Sequence, residues 1–246
     1  MELLVSVRSG AEVAAALAGG AHIIDAKEPS NGSLGPVSAE VLTDVLAQVP
    51  EEHPLSLALG DFAVPGDVLA AISSRQLPSR SAPVYLKLGF AGVEPLDCIE
   101  AMVATAVGAA SQHQASPLVV VVAYADSLRA ATASPDNISR IAAECGALGV
   151  LLDTQVKDGL GLLRWMDSTA LRHWIELSRT AGLLTALAGG LRLEDIDLVS
   201  AANPDVVGVR GAACDGGREG RVNAQRVRAL RRRLQGASGF VQAGAN

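Results

Sequence analysis

The chain predicts an α/β fold, a single-domain (β/α)8 TIM barrel, and three observations carry that prediction. Eight short runs rich in Val, Ile and Leu recur along the sequence. Alanine-rich segments with helical periodicity separate them. The runs are almost continuously apolar, as strands of a parallel sheet covered by helices on both faces must be. Eight such units in 246 residues agree in number and length with a barrel of about 250 residues. The runner-up is an open doubly wound sheet.

The first run, LLVSV (3–7), leads into VRSGAEVAAAL, whose single glycine is not the G-x-G-x-x-G turn a doubly wound sheet usually carries there. The second, IIDAK (23–27), ends in two charges and is followed by the polar loop EPSNGSLG (28–35). SAEVLTDVLAQV (38–49) reads as a helix opened by a serine, and LSLALG (55–60) as the third strand. The connection LPSRSAP (77–83) delivers the chain to VYLKLGF (84–90), which holds Lys87 within the strand. A helix opened by proline, PLDCIEAMVATAVGAA (95–110), precedes VVVVAY (119–124).

The sixth run, GVLLDT (149–154), closes on Asp153, with Lys157 in the loop behind it. STALRHWIELSRTAG (168–182) is the next helix, and LTALAGG (184–190) and VVGVRGA (206–212) are the last two strands. The basic segment RVNAQRVRALRRRLQ (221–235) spaces Val227, Leu230 and Leu234 to bury one helical face and leaves its arginines on the solvated one. No composition break marks a linker, so residues 1–235 form one barrel domain, and 236–246, small and polar, form a flexible C-terminal tail.

With 49% hydrophobic residues and a mean hydropathy of +0.30, the chain fills a large core. Its formal charge of −6 argues against a nucleic-acid or anionic-membrane partner, since such proteins need a positive field. No apolar run approaches the roughly 20 residues of a membrane span, and the N-terminus has no basic stretch followed by a long apolar segment, so a cytoplasmic protein is expected. Cys98, Cys145 and Cys214 are scattered, and they spell neither a disulfide framework nor a zinc cluster. Alanine-rich helix faces are compatible with a homo-oligomer. The four histidines show no metal spacing, and no G-x-S-x-G nucleophile motif occurs.

Functional side chains of such a barrel stand at the C-terminal ends of its strands. Asp25 and Lys27, two positions apart, share one side of the second strand. Lys87 and Asp153 belong to the fourth and sixth strands, and alternate strands supply the side chains of one interior layer. Lys27, Lys87 and Asp153 are therefore expected to converge at the mouth, with Asp25 and Lys157 beside them. Buried charges are tolerable there when carboxylates and ammonium groups face one another.

Such a set suits carbonyl chemistry. A lysine whose pKa is lowered by neighbouring cations and partial desolvation attacks an aldehyde or ketone as the free amine, and the iminium acidifies the adjacent C–H. Nearby carboxylates and a second lysine then move protons. A competing reading makes Asp25, Glu28 and Asp153 magnesium ligands, against which the intervening lysines compete, so no metal is expected. Phosphate capture falls to the loops after strands seven and eight, with Gly189, Gly190 and Gly211 offering backbone N–H groups and Arg210 a charge-assisted bond.

These residues also resemble a known family. The stretches LLVSV, AGGAHIIDAKEPSNGSLG (18–35), YLKLG (85–89) and LLDTQVKDG (151–159) are similar to the (5-formylfuran-3-yl)methyl phosphate synthases, also called 4-(hydroxymethyl)-2-furancarboxaldehyde-phosphate synthases, of methanofuran biosynthesis. The resemblance implies a carbon–oxygen lyase acting on phosphates. Two glyceraldehyde 3-phosphate molecules would condense to a phosphorylated furan aldehyde with loss of phosphate and water, without a cofactor. It further implies Lys27 as the Schiff-base lysine and Asp25, Lys87, Asp153 and Lys157 as its companions. Glu28 stands where archaeal members carry asparagine, which bears on substrate contacts. Alternatives are a lysine-dependent aldolase or isomerase on another phosphosugar, and a non-catalytic phosphosugar-binding barrel.

Overall fold

The structure is a computed structural model that describes the backbone of residues 1–243 and the side chains through residue 236. Eight parallel strands close into a barrel in sequence order, and the last pairs with the first. They are β1 (Glu2–Val7), β2 (Ile23–Ala26), β3 (Leu55–Asp61), β4 (Val84–Gly89), β5 (Leu118–Tyr124), β6 (Gly149–Asp153), β7 (Leu184–Leu187) and β8 (Val206–Val209). All eight apolar runs of the sequence become barrel strands.

The helices are α1 (Gly10–Gly19), α2 (Ala39–Gln48), α3 (Pro65–Ser73), α4 (Leu96–Gln112), α5 (Ser127–Ala130), α6 (Pro135–Glu144), α7 (Ser168–Thr180), α8 (Ile196–Ala201) and α9 (Ala224–Ala243). Side chains cap several of their starts: Ser38 accepts from Val41 N, Ser134 from Asn137 N, and Asp167 from Thr169 N and Ala170 N. Between β8 and α9 a two-stranded hairpin, β9 (Cys214–Asp215) with β10 (Arg221–Val222), lies outside the barrel. The helix α9 reaches Ala243, so residues 236–243 continue it instead of leaving it as a tail; residues 244–246 lie outside the described residues.

Strand periodicity separates two apolar populations. Leu3, Val5 and Val7 of β1 join the cluster between barrel and helices, whereas Leu4 and Ser6 turn into the bore. The even-numbered strands repeat this pattern. Ile23 and Asp25, Tyr85 and Lys87, Leu151 and Asp153, and Val206 and Gly208 line one internal cavity. The layers alternate in character: Ile23, Leu151 and Val206 belong to an apolar plug, and two positions along stand the charged Asp25 and Asp153 and, after Val206, Gly208.

Val227, Leu230 and Leu234 of α9 are buried as their spacing requires, and α9 packs on α1 and α8 to close the helical ring. Leu230→Ala should lower the unfolding free energy by about 2–5 kcal/mol, while Arg232→Ala, on the exposed face of the same helix, should change it by no more than about 0.5 kcal/mol. Urea denaturation of the two variants checks the assignment; equal losses would contradict it.

Candidate active site

The site is assembled at the upper end of the bore from two ion pairs and one unpaired lysine. Asp25 is fully buried on β2, opposite Ser6 in the β1 register. Ser6 Oγ donates to its Oδ2 at 2.7 Å, and Lys87 Nζ, rising from β4, lies 2.8 Å from its Oδ1. Burial alone would push the Asp25 carboxyl up, but the Lys87 and Lys27 charges and the Ser6 hydrogen bond hold it below the usual carboxylate range.

Across the mouth, Asp153 ends β6 and is likewise buried. Lys157 Nζ donates to its Oδ1 at 2.7 Å and to Thr154 Oγ1 at 3.2 Å, and Thr154 N donates to the same carboxylate oxygen at 2.7 Å. Here too burial is outweighed by lysine charges, from Lys157 first and Lys27 second, so Asp153 stays ionised. The loop that carries Lys157 is anchored by a third buried carboxylate, Asp126, which accepts from Gln155 N at 2.7 Å and Val156 N at 3.0 Å.

Lys27 stands between the pairs. Its N–H donates to Val7 O at 3.0 Å, which extends the β1–β2 ladder by one residue and fixes the direction of the side chain. The side chain is 7% exposed and makes no hydrogen bond or ion pair with another described residue. Its pKa is pushed down to about 7. Burial is the main cause; Asp153 and Asp25 oppose it, and the Lys87 and Lys157 charges reinforce it. Of the two causes expected from the sequence, neighbouring cations and desolvation, desolvation is the larger. At pH 7 the amine and ammonium forms are comparably populated, whereas an ordinary lysine is unprotonated only on the order of once in two thousand.

The five residues Asp25, Lys27, Lys87, Asp153 and Lys157 therefore share one cavity of about 610 Å³, a volume typical of small-molecule sites. Gly189 and Gly190 line it as well, with φ of 97° and 64° that an L side chain rarely adopts. A Cβ on Gly189 would come within 3.2 Å of Thr154 N, so the β7 loop packs directly on the residue after Asp153. Neither glycine N–H donates to a described residue. Gly211, at the start of a short 3-10 turn after β8, faces the same space.

Arg210 lines the same cavity, as the sequence suggested, but its donors are engaged within the protein. It is buried, and all five of its N–H bonds are taken: Nε by Arg218 O, Nη1 by Ser6 O and Glu12 Oε2, Nη2 by Glu12 Oε1 and Gly220 O. A guanidinium so saturated has no donor left for a phosphate. It ties β8 to β1, α1 and the hairpin instead.

Glu28 also plays a different part. Its carboxylate accepts from Ser30 N and Oγ and pairs with Arg8 at 3.0 Å, which caps the turn after Lys27, and it does not line the cavity. Asp25 and Asp153 each hold an ammonium group, and among the described residues no group of three or more His, Cys, Asp or Glu is arranged to hold a metal ion. The carboxylates of the magnesium reading thus do not form one donor set.

Three contributors escaped the sequence reading. Ser6 was signalled, as the one polar residue of an apolar strand on the inward parity. Thr154 was visible only as the neighbour of Asp153. Arg218, which lines the mouth from the hairpin loop, had no local signal.

Comparison with known proteins bears on this geometry. A family model described as 4-HFC-P synthase matches residues 3–231. A (5-formylfuran-3-yl)methyl phosphate synthase from Methanothermobacter thermautotrophicus is 38% identical over 238 residues, 95% of this chain and 99% of that protein. The corresponding synthase of Methanococcus aeolicus is 36% identical over 94% of this chain and 98% of its own length. Among solved structures, N-(5'-phosphoribosyl)anthranilate isomerase from Pyrococcus furiosus aligns with a TM-score of 0.62 and 15% identity over 96% of this chain and 99% of that one. A 3-hexulose-6-phosphate synthase from Salmonella typhimurium aligns with a TM-score of 0.62 and 14% identity, over 96% and 100% of the two chains. At such identities these two share the barrel fold.

The protonation state of Lys27 is directly measurable. Its acylation by acetic anhydride, followed by peptide mass analysis, should rise with pH along a titration centred at about 7. Lys157→Met removes a repelling charge and strips Asp153 of its cation, both of which favour the ammonium form, so the midpoint should move upward. A wild-type midpoint near the ordinary value of about 10.4, or an unmoved midpoint in the variant, would contradict this electrostatic account.

Proposed function

This chain belongs to the 4-HFC-P synthase family, and from that premise we propose that it makes (5-formylfuran-3-yl)methyl phosphate for methanofuran biosynthesis by condensing two molecules of glyceraldehyde 3-phosphate. The observation that carries the chemistry is Lys27: a buried, unpaired amine with its pKa pushed down to about 7, standing between two lysine–carboxylate pairs. An amine in that state attacks a carbonyl at neutral pH.

The proposed reaction begins when Lys27 Nζ adds to the carbonyl carbon of one triose phosphate and water leaves, forming a protonated imine. The imine withdraws electrons from the adjacent carbon, whose proton passes to a neighbouring base and leaves an enamine. The enamine carbon attacks the aldehyde of the second triose phosphate and forms the new carbon–carbon bond. Hydrolysis of the imine, ring closure through oxygen and eliminations then produce the furan. Two C3H7O6P molecules become C6H7O6P, one phosphoric acid and two waters, so atoms balance and no oxidant is consumed. Aromatisation makes the late eliminations favourable.

The two ion pairs suit the proton transfers. Asp25 and Asp153 are held ionised and in fixed orientations, and Lys87 and Lys157 are acids able to protonate leaving oxygens in the same cavity. Gly189, Gly190 and Gly211 line the same cavity, where backbone N–H groups suit a phosphate ester. Lysine-dependent aldol addition without aromatisation is the second reading, since the same Lys27 imine would support it.

Incubation of the protein with glyceraldehyde 3-phosphate should release inorganic phosphate and a near-ultraviolet-absorbing furan aldehyde identifiable by mass. Borohydride added during turnover should leave a triose adduct on the Lys27 peptide. Lys27→Arg should abolish both, because guanidinium stays protonated. An aldol product without furan absorbance would favour the second reading, and an adduct confined to Lys87 or Lys157 would transfer the nucleophile's role there. Absence of any turnover or adduct would count against both and favour a binding barrel.

A further inference from the structure

The saturation of Arg210 leaves open which cation meets the phosphate of the substrate, and the cavity narrows the choice. Lys87 and Lys157 are each paired to a buried carboxylate, and Lys27 must stay uncharged to react. Arg226 donates through Nε to Asp215 at 2.6 Å and is half exposed. Arg192 is 67% exposed, with Glu194 the acid nearest to it at 3.9 Å.

Arg218 differs from all of these. Its side chain is 26% exposed, and Nη2 donates to Pro29 O at 2.9 Å and to Gly32 O at 2.6 Å. Nη1 donates to no described residue, and the nearest carboxylate oxygen, on Glu219, is 4.0 Å from Nε. Its backbone lies against the β8 glycine: a Cβ on Gly211 would sit 3.4 Å from Arg218 N. Arg218 and Gly211 both line the cavity, so the guanidinium reaches it from a backbone that abuts Gly211 toward the loop after β2. One of its ends is fixed on protein carbonyls, and the other has donors to spare.

We propose that Arg218 is a substrate-binding residue that receives the phosphate monoester dianion at the corner beside Gly211, and that through Pro29 and Gly32 it couples that phosphate to the loop following Lys27. This rests on the phosphorylated substrate of the proposed function and adds to it the residue that recognises the phosphate. A guanidinium already held by two carbonyls needs little further ordering to make charge-assisted bonds to phosphate oxygens. The same two carbonyls belong to the turn that begins one residue after Lys27, so an occupied phosphate corner and an ordered lysine loop reinforce each other.

The test uses inorganic phosphate, both as a ligand of the substrate-free protein in calorimetric titration and as a competitor in turnover. Arg218→Met should weaken phosphate binding at least tenfold and raise KM more than it lowers kcat, and Arg218→Lys should recover part of the affinity. Should Arg218→Met melt early because the carbonyl clamp is lost, Arg218→Gln supplies a neutral side chain that still donates to a carbonyl. It should keep the wild-type melting temperature and lose phosphate affinity, a pattern that a merely structural arginine would not produce. Wild-type phosphate affinity in Arg218→Gln, or no measurable phosphate binding by the wild-type protein, overturns the proposal. A wild-type protein that binds phosphate through Arg218 but makes no furan would instead remove the synthase reading and leave the assignment of Arg218 standing.

Discussion

The structure depends on how two carboxylates are kept ionised inside a barrel. Asp25 and Asp153 are both buried, and a buried carboxylate without a partner is costly enough to protonate or to unfold its surroundings. Each is neutralised by a lysine of its own, Lys87 from the neighbouring even strand and Lys157 from the loop one turn on. Once the pairs are made, no full counter-charge remains for the third lysine. Burial then outweighs the residual attraction of Asp153 and Asp25, and the pKa of Lys27 is pushed down to about 7. The free amine is thus a by-product of satisfying the two acids, which is why desolvation outweighs repulsion among its causes.

Much of the remaining architecture serves to keep that charge pattern fixed. The Ser6 hydroxyl holds Asp25 from β1, and the N–H of Thr154 holds Asp153 from its own chain. Asp126 pins the loop that delivers Lys157, and Gly189 is the residue small enough to let the β7 loop close over Thr154. On the other side, Tyr124 donates to Asp61 at 2.8 Å and lies 3.1 Å from Ser33 Oγ, so the loop after Lys27 is bound to β3 and β5. Burial raises the Asp61 carboxyl, and the hydrogen bonds from Ala91 N and Tyr124 only partly offset it. The loops after β2, β4 and β6 are thereby held by side chains from neighbouring strands and loops. Orientation of this kind is what converts charged residues into a catalytic arrangement.

The strands and the five charged residues were readable because both follow from local rules. Apolar runs of strand length located β1 to β8, and the period of two put Asp25 beside Lys27 and aligned Lys87 and Asp153 with them through the alternation of barrel layers. What local rules do not encode is the course of the chain after β8. Arg210 and Arg218 are eight residues apart in one glycine-rich segment and both line the cavity, yet the first has its donors taken by Glu12 and backbone carbonyls, and the second keeps donors to spare. The difference is made by the small β9–β10 hairpin, which folds Gly220 and Arg218 back over β8. Glu12 was hidden for a related reason: an acid in the first turn of a helix is ordinary in sequence, and only tertiary contact shows it buried. The relative weight of desolvation and repulsion at Lys27 is equally non-local, because it depends on what covers the site.

The same electrostatics constrain how a doubly charged phosphate can enter. A dianion left uncompensated near Lys27 would favour the ammonium form and undo the depression that burial produces. On the proposed reaction, phosphate would therefore have to be neutralised away from Lys27, by groups that are not already balancing Asp25 and Asp153. Backbone N–H groups of the β7 and β8 loops contribute partial charges without protons to exchange, and a guanidinium contributes a full charge that does not titrate in this range. Under the proposed function, division of the cavity into a wall of lysines and carboxylates and a corner of glycine backbone and arginine would let Lys27 remain a free amine while a phosphate ester is bound.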